Sequence, residues 1–296
     1  MLTRIDHVMI CVPDLRHGIE QYRKLGFGMH AGGVHTGKGT HNAIAFNQDD
    51  YLELLAIRDK AEYQAAAGRG TGWGGNLKEF VAAGGGIRYV VIQSDDLPAD
   101  VSGMRKRGVD VSDPIDGNRR TPAGLELRWK AAVLGPANPL PIFFIEHLTP
   151  VEERRRQVPG TADHPNAVHK LERCYIATPD VEDTAAVYAK VLGMPQPATH
   201  RGSVIMSHMA VFELGPTGLS IAQPYAAGPA ADALERRGPG PFQALYRTTS
   251  MGSAARWTEQ HGLPPLARGV RSNGEHAMLA SPAIACGAYI GFVGPE

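Results

Sequence analysis

The stretch IDHVMICVPDLRHGIEQYRKLGF, residues 5–27, changes its periodicity at Pro13-Asp14, and that change decides how the rest of the chain is read. Before the dipeptide, Ile5, His7, Met9 and Cys11 alternate with Val8, Ile10 and Val12, as in a strand covered on both faces. After it, Asp14 is placed to cap a helix over residues 15–25 that stops at Gly26. Beyond the turn at Ala31-Gly32-Gly33, strand-like runs at 42–46 and 51–57 flank the turn Asn47-Gln48-Asp49-Asp50. The unit reads as a strand, a helix and a run of further strands.

The same order recurs. Residues 171–194, LERCYIATPDVEDTAAVYAKVLGM, align with residues 5–28 through Pro179-Asp180, and Tyr22 and Lys24 return as Tyr188 and Lys190. A third copy starts at Ile87, with Asp96-Leu97 in the place of Asp14-Leu15, and ends in a strand at 142–148. A fourth starts at Phe242 and ends in a strand at 288–293. Repeated supersecondary units bury by stacking the faces that one copy cannot bury alone. We therefore expect an α+β fold of four βαβββ modules in two domains, residues 1–148 and 169–296. A linker at 149–168 joins them, where charge density rises and hydrophobic periodicity stops. Residues 58–86, with a glycine-rich run at 68–75, connect the first two units at a length that suits a binding loop and equally a plain tether.

Composition bounds the partners. In 296 residues, 30 Lys+Arg offset 30 Asp+Glu, so the basic surface that counterion release requires is missing and neither nucleic acid nor a membrane is an expected partner. Apolar residues make up 43% of the chain, enough for a packed core. No run approaches the ~18 to 20 apolar residues of a membrane span. The N-terminal run is bracketed by Asp6 and Asp14, so it reads as a strand and not as a secretion signal. Cys11, Cys174 and Cys286 are too scattered for a disulfide framework or a metal motif, and a cytoplasmic location is expected. The expected partner is a small-molecule substrate, with a homodimer left open.

Period two also sorts side chains by face. Glu53 points opposite to Leu52 and Leu54, Glu146 stands among Phe143, Phe144 and Ile145, and His7 interrupts the first strand. A charge on a central strand needs a partner, because burying one alone is costly. A divalent cation is an economical partner, since an imidazole and two carboxylates are an ordinary hard-to-borderline ligand set. The plainer alternative is a core histidine beside two carboxylates in a solvated groove. His35 and His41 are further candidates for the neighbourhood of such an ion. His147 takes the place of Glu146 if the register slips by one residue, since a slip exchanges the two faces. Arg119-Arg120 and the following strand with Arg128 offer guanidinium groups to an anionic substrate, or else form a solvated hairpin tip. Gly37-Lys38-Gly39-Thr40 lacks the spacing of a phosphate loop and reads as a hairpin turn. Neither a nucleophile elbow nor a dinucleotide fingerprint is present in the sequence.

IDHVMICVPDL followed by YLELL, with histidine on the first strand and glutamate on the last strand of a βαβββ unit, resembles the vicinal oxygen chelate superfamily. Members of that superfamily include glyoxalase I, bleomycin-resistance and fosfomycin-resistance proteins and extradiol dioxygenases. More narrowly, GGVHTGKGTHNAIAF followed by YLELLAI is similar to the glyoxalase-like domain. The resemblance is strong over residues 1–148 and topological over 169–296. It implies partly open, U-shaped mixed sheets and a divalent metal ion (Zn, Ni, Mn or Fe) in the N-terminal cleft, held by His7, Glu53 and Glu146. Many members carry another histidine where this chain has Tyr89, so either three protein ligands remain or the metal has been lost.

The resemblance further implies a lyase, isomerase or ring-opening dioxygenase acting on a small oxygenated molecule that chelates the cation, with Glu53 and Glu146 moving protons. Matching positions in the second domain are Arg173, Ser220, Ala244 and Gly291, which form no ligand set. That domain is therefore expected to support or cover the first. A reading from another class is a metal-free protein of the same fold that binds or sequesters a small molecule.

Overall fold

The computed structural model describes residues 1–68, 77–121, 123–156, 164–264, 266–271 and 273–296. The first unit comprises β1 (Leu2–Cys11), α1 (Leu15–Lys24), β2 (His30–His35), β3 (Thr40–Phe46) and β4 (Tyr51–Ile57). Helices α2 (Lys60–Gly68) and α3 (Leu77–Ala82) lead to the second: β5 (Gly86–Ser94), α4 (Leu97–Lys106), β6 (Ile115–Arg120), β7 (Glu126–Val133) and β8 (Ile142–His147). After α5 (Val151–Arg156) come β9 (Val168–Ala177), α6 (Val181–Leu192), β10 (His200–Gly202), β11 (Ser207–Leu214) and β12 (Thr217–Pro224). Helix α7 (Pro229–Arg237) precedes the fourth unit, β13 (Gly240–Thr248), α8 (Met251–Gln260), β14 (Ala267–Val270), β15 (His276–Ala280) and β16 (Tyr289–Gly294). The glycine-rich run at 69–75 and residues 157–163 of the linker lie outside the described residues.

Each unit turns from strand to helix with the same device. The side chains of Asp14, Asp96, Asp180 and Ser250 accept hydrogen bonds from the backbone amides of His17, Ala99, Asp183 and Ser253, each satisfying a donor that the first helical turn leaves open. Helix α1 ends two residues before Gly26, whose φ of 88° is left-handed.

Two eight-stranded mixed sheets result. In the first, β1 and β5 pair antiparallel at the centre, and each pairs in parallel with the last strand of its own unit, β4 and β8. The second repeats this with β9 and β13 flanked by β12 and β16. One feature differs from the partly open form expected of both: Val34 of β2 pairs with Arg120 of β6 and closes the first sheet into a barrel. The second stays open, because its outermost strands β10 and β14 are only three and four residues long and do not meet.

A single hydrophobic core runs from Ile5, Tyr22 and Phe27 through Cys174, Tyr188 and Phe292, so the two sheets pack back to back as one body. The hydroxyl of Tyr22 donates to the Ala285 carbonyl at 3.1 Å across that boundary. Inside the first sheet, Tyr63 of α2 and Leu77 of α3 pack on Met9, Cys11 and Leu55. Inside the second, Ala230 and Ala233 of α7 pack on Tyr175, Phe242 and Leu245. No described helix is long and apolar enough to cross a membrane.

Candidate functional site

Helices α2 and α3 leave part of the barrel unfilled, and a cavity of about 1120 Å³ opens there. Strand alternation decides what faces it. His7 and Met9 of β1, Tyr51 and Glu53 of β4, and Phe143, Ile145 and His147 of β8 line the cavity, while Phe144 of β8 turns to the outer core. Glu146 shares that outer face: its Oε2 accepts a hydrogen bond from the Leu97 amide at 3.0 Å, at the start of α4. The structure therefore does not bring Glu146 to His7 and Glu53. His147, one residue on, is the side chain of β8 that turns inward.

At the base of the cavity, His7 Nε2 lies 3.2 Å from Glu53 Oε2, and His7 Nδ1 lies 2.8 Å from Asp6 Oδ2. Adjacent residues of a regular strand point to opposite faces. Here the β1/β5 ladder shifts register between Ile5 and His7, and the bulge lets the Asp6 carboxylate reach the ring of its neighbour. Asp6 also takes His147, whose Nε2 is 3.0 Å from both carboxylate oxygens, with Arg154 Nη1 3.2 Å from the same nitrogen. The Asn42 amide donates to Glu53 Oε1 at 2.6 Å, and the Tyr51 ring stacks on His7 with centroids 4.2 Å apart.

These contacts fix the charge states. Burial alone would push Asp6 up, but His147 and His7 hold its carboxyl well below the usual range. Burial would push Glu53 up too, yet the hydrogen bond and charge of His7, helped by His35 and Asn42, hold it below its ordinary value. For His7 burial pulls the other way, and the bonds to Asp6 and Glu53 outweigh it, so the imidazole is held above its usual pKa. A carboxylate at each ring nitrogen favours the imidazolium form of His7, whose face is covered by Tyr51.

The remaining sequence candidates separate by face. His35 lines the cavity with Nδ1 3.0 Å from Thr40 Oγ1, and burial pushes it down to about 4. His41, on the opposite face of β3, sits near Arg58 and Asp14 instead. Tyr89 lines the cavity, and burial pushes its phenol up. Arg128 is exposed, whereas Arg119 turns inward, is almost fully buried and donates to the Gly32 carbonyl. Three further side chains turn inward without a local sequence signal that marks them. Asp6 was hidden by the bulge. Arg154 lay in a stretch read as linker. Lys38, on the β2–β3 turn, was read only as a turn residue, though it faces the cavity and burial lowers its pKa.

The sequence model of the glyoxalase-like domain matches residues 5–192. The chain belongs to the glyoxalase-like domain family. No curated protein matches it. Among solved structures, a hypothetical protein from Staphylococcus aureus superposes with a TM-score of 0.72 at 13% identity, over 99% of this chain and 100% of the other. A mutant of 4-hydroxymandelate synthase from Streptomyces coelicolor superposes with a TM-score of 0.64 at 10% identity, over 100% of this chain and 93% of the other. A xylose isomerase-like TIM barrel/4-hydroxyphenylpyruvate dioxygenase fusion protein gives 0.60 at 11% identity, over 100% of this chain and 49% of the other. At these identities the likeness is one of fold, that of the vicinal oxygen chelate superfamily.

Glyoxalase-like relatives within that superfamily commonly use divalent metals, so the donor set of this chain bears on the point. His7 Nε2 and Glu53 Oε2 are close enough to share an ion, and Asp6 behind Nδ1 is the kind of carboxylate that orients a metal-bound histidine. A third donor is missing. Glu146 is at α4, His147 Nε2 is turned to Asp6, and no group of three His, Cys, Asp or Glu side chains among the described residues is arranged to hold an ion. The residues as they stand do not fit a resident divalent cation. What they build instead is a relay, Asp6 to His7 to Glu53, ringed by Arg119, Arg154 and Lys38.

Proposed function

We propose that this chain is an enzyme of the vicinal oxygen chelate type that moves a proton on a small, oxygen-rich anion bound in the N-terminal barrel. The single observation that carries the reading is the buried Asp6–His7–Glu53 relay at the base of a cavity large enough for a metabolite. Structural ion pairs also perturb titrations, but they have no need to line a cavity.

The charge around the relay supplies the substrate class. Asp6 and Glu53 bring two negative charges, and the imidazolium of His7 with Arg119, Arg154 and Lys38 brings four positive ones. The excess suits a carboxylate or enolate oxygen, with Arg119 and Arg154 as its donors. Glu53 Oε2 takes the proton from a carbon next to the substrate carbonyl. His7 holds that carboxylate ionised, and Asn42 fixes its other oxygen. Asp6 positions the ring of His7 and stabilises its charge. Leu127, Trp129 and Phe143 line the rest of the cavity and keep water from the reacting atoms.

The test is hydrogen exchange in deuterated water. A panel of small 2-oxo and 2-hydroxy carboxylates is incubated with the protein, and loss of the C–H signal is followed by NMR. Exchange in one of them, slowed about a hundredfold or more by Glu53→Gln, is the expected result. No exchange across the panel, or exchange indifferent to Glu53→Gln, overturns the reading. So does a stoichiometric cation in purified protein that His7→Ala removes, which would return the site to metal chemistry.

A further inference from the structure

Charge is not confined to the base of the cavity. At its mouth Arg237 enters from the other half of the molecule, as the last residue of α7. The body of that helix is fixed by Ala230 and Ala233 against the second sheet, so its C-terminal end is carried over the first. The guanidinium lies over the Phe80 ring, 5.4 Å from the centroid, and Arg88 covers the same ring at 5.2 Å. A Cβ on Gly86 or Gly287 would collide with the Arg237 guanidinium, so both positions are open for it. Asp232 acts on Arg237 only through space, because its Oδ2 accepts from Arg236 and from the Tyr289 hydroxyl, each at 2.8 Å. Among the described residues Arg237 has no hydrogen bond or ion pair, while burial and the neighbouring Arg236 already work against its charge. A half-buried cation held in place by packing, with no anion in direct contact, at the rim of a cavity is a binding group awaiting its counterpart.

We propose that Arg237 binds a second acidic group at the distal end of the ligand, so that the barrel takes a dianion with an apolar body. One acid meets Arg119 at the base, the body lies along Leu127, Trp129 and Phe143, and the other acid meets Arg237. The specificity of the N-terminal cavity is then set by a residue of the C-terminal half. This rests on the base being the anion site of the proposed function, and the test separates the two.

The probes are straight-chain α,ω-dicarboxylates of increasing length and the monocarboxylates of the same lengths, titrated calorimetrically into the full chain. At the length that spans the cavity, the diacid is expected to bind about tenfold tighter than the monoacid, the worth of one charge-assisted contact. Arg237→Gln abolishes that advantage and leaves monoacid affinity unchanged, and Arg237→Lys keeps part of it. Arg119→Gln weakens both probes together. A diacid advantage absent at every length in the wild type, or undiminished in Arg237→Gln, overturns the proposal. Monoacid affinity indifferent to Arg119→Gln overturns the base reading instead, because the role of Arg237 is read only from the ratio of diacid to monoacid. A melting temperature unchanged by Arg237→Gln ties any lost advantage to the contact and not to the fold.

Discussion

The two sheets share strand order and register, yet they treat the same interior positions in opposite ways. Met9 pairs with Glu53 in the first sheet, as Tyr175 pairs with Ser220 in the second, so Glu53 and Ser220 are equivalent and His7 corresponds to Arg173. The contact between the two positions survives as a hydrogen bond from Arg173 Nη1 to Ser220 Oγ at 3.2 Å, while the guanidinium also pairs with Glu213 at 3.1 Å. Where the first half buries a relay under a cavity, the second fills its concavity with α7 and leaves its charged side chains partly exposed. Among them Glu172, the counterpart of Asp6, joins Arg247, Arg271 and Glu275. The fold therefore does not demand a charged interior. Keeping one in the first half alone points to chemistry and not to stability.

The largest effect expected from that contrast is on turnover. Glu53→Gln keeps the shape and one hydrogen-bonding oxygen but removes the base, and the exchange rate should fall about 10²- to 10⁴-fold. Its counterpart Ser220→Ala should leave the rate within about twofold, since nothing in the second sheet reaches the cavity through that position. Equal losses in both variants, measured by the same NMR exchange, would mean that the halves act together and would break the comparison.

A second pair of equivalent positions joins the halves. Asp50 precedes β4 and accepts the Leu171 amide on both carboxylate oxygens at 3.0 Å, whereas Thr217, at the start of β12, accepts the Ile5 amide at 2.8 Å. The same clasp is made once with a carboxyl and once with a neutral hydroxyl. Burial pushes Asp50 up to about 7, against the bonds from Asn47 and Leu171 and the charge of Arg4. An acid raised on folding binds its proton more tightly in the native state, so stability falls as pH rises from the ordinary carboxylate range toward 7. A rise of that size is worth on the order of 4 kcal/mol. Asp50→Asn keeps an acceptor for Leu171 and removes the titration. Its stability relative to wild type should therefore climb between about pH 4 and pH 7 in urea unfolding, and level off above. A difference that stays flat across that window would show that the carboxyl is not the sensitive member of the clasp.

The repeat was legible because each unit announces itself with a capping residue after an apolar strand. Asp14, Asp96, Asp180 and Ser250 all cap as the local sequence directs, and β4 begins and ends where YLELLAI does. His7 and Glu53 were legible for a similar reason, since a polar residue on a doubly covered strand is conspicuous. What could not be read was set by neighbours far away in the chain. Whether Glu146 or His147 faces inward depends on which of Phe143 and Phe144 meets the outer core, and both are equally apolar. A bulge against β5 turns Asp6 inward, and no local residue signals it. Arg154 looks like part of a solvated charge run until α5 folds it under the barrel beside His147. Closure of the first sheet rests on one residue pair, Val34 with Arg120, in strands with no distinctive pattern.

The last contrast concerns what the two acids next to the interior positions are worth to folding. Asp6 is fully buried between two imidazoles, and Asp6→Asn leaves the buried His7 without the anion at its Nδ1 and His147 without its carboxylate partner, so about 3 kcal/mol of stability should be lost. Glu172, with its side chain 13% exposed, shares its arginines with Glu275. Because Glu275 still pairs with both Arg247 and Arg271 in Glu172→Gln, and all these side chains are partly exposed, that variant should lose less than about 1 kcal/mol. The smaller loss should also shrink further at high salt, which screens partly exposed charges and hardly reaches buried ones. Urea unfolding of both variants at low and high salt reads the two effects apart. Equal losses with equal salt dependence would mean that the first half carries its buried relay at no special cost, and the argument that only function retains it would lose its premise.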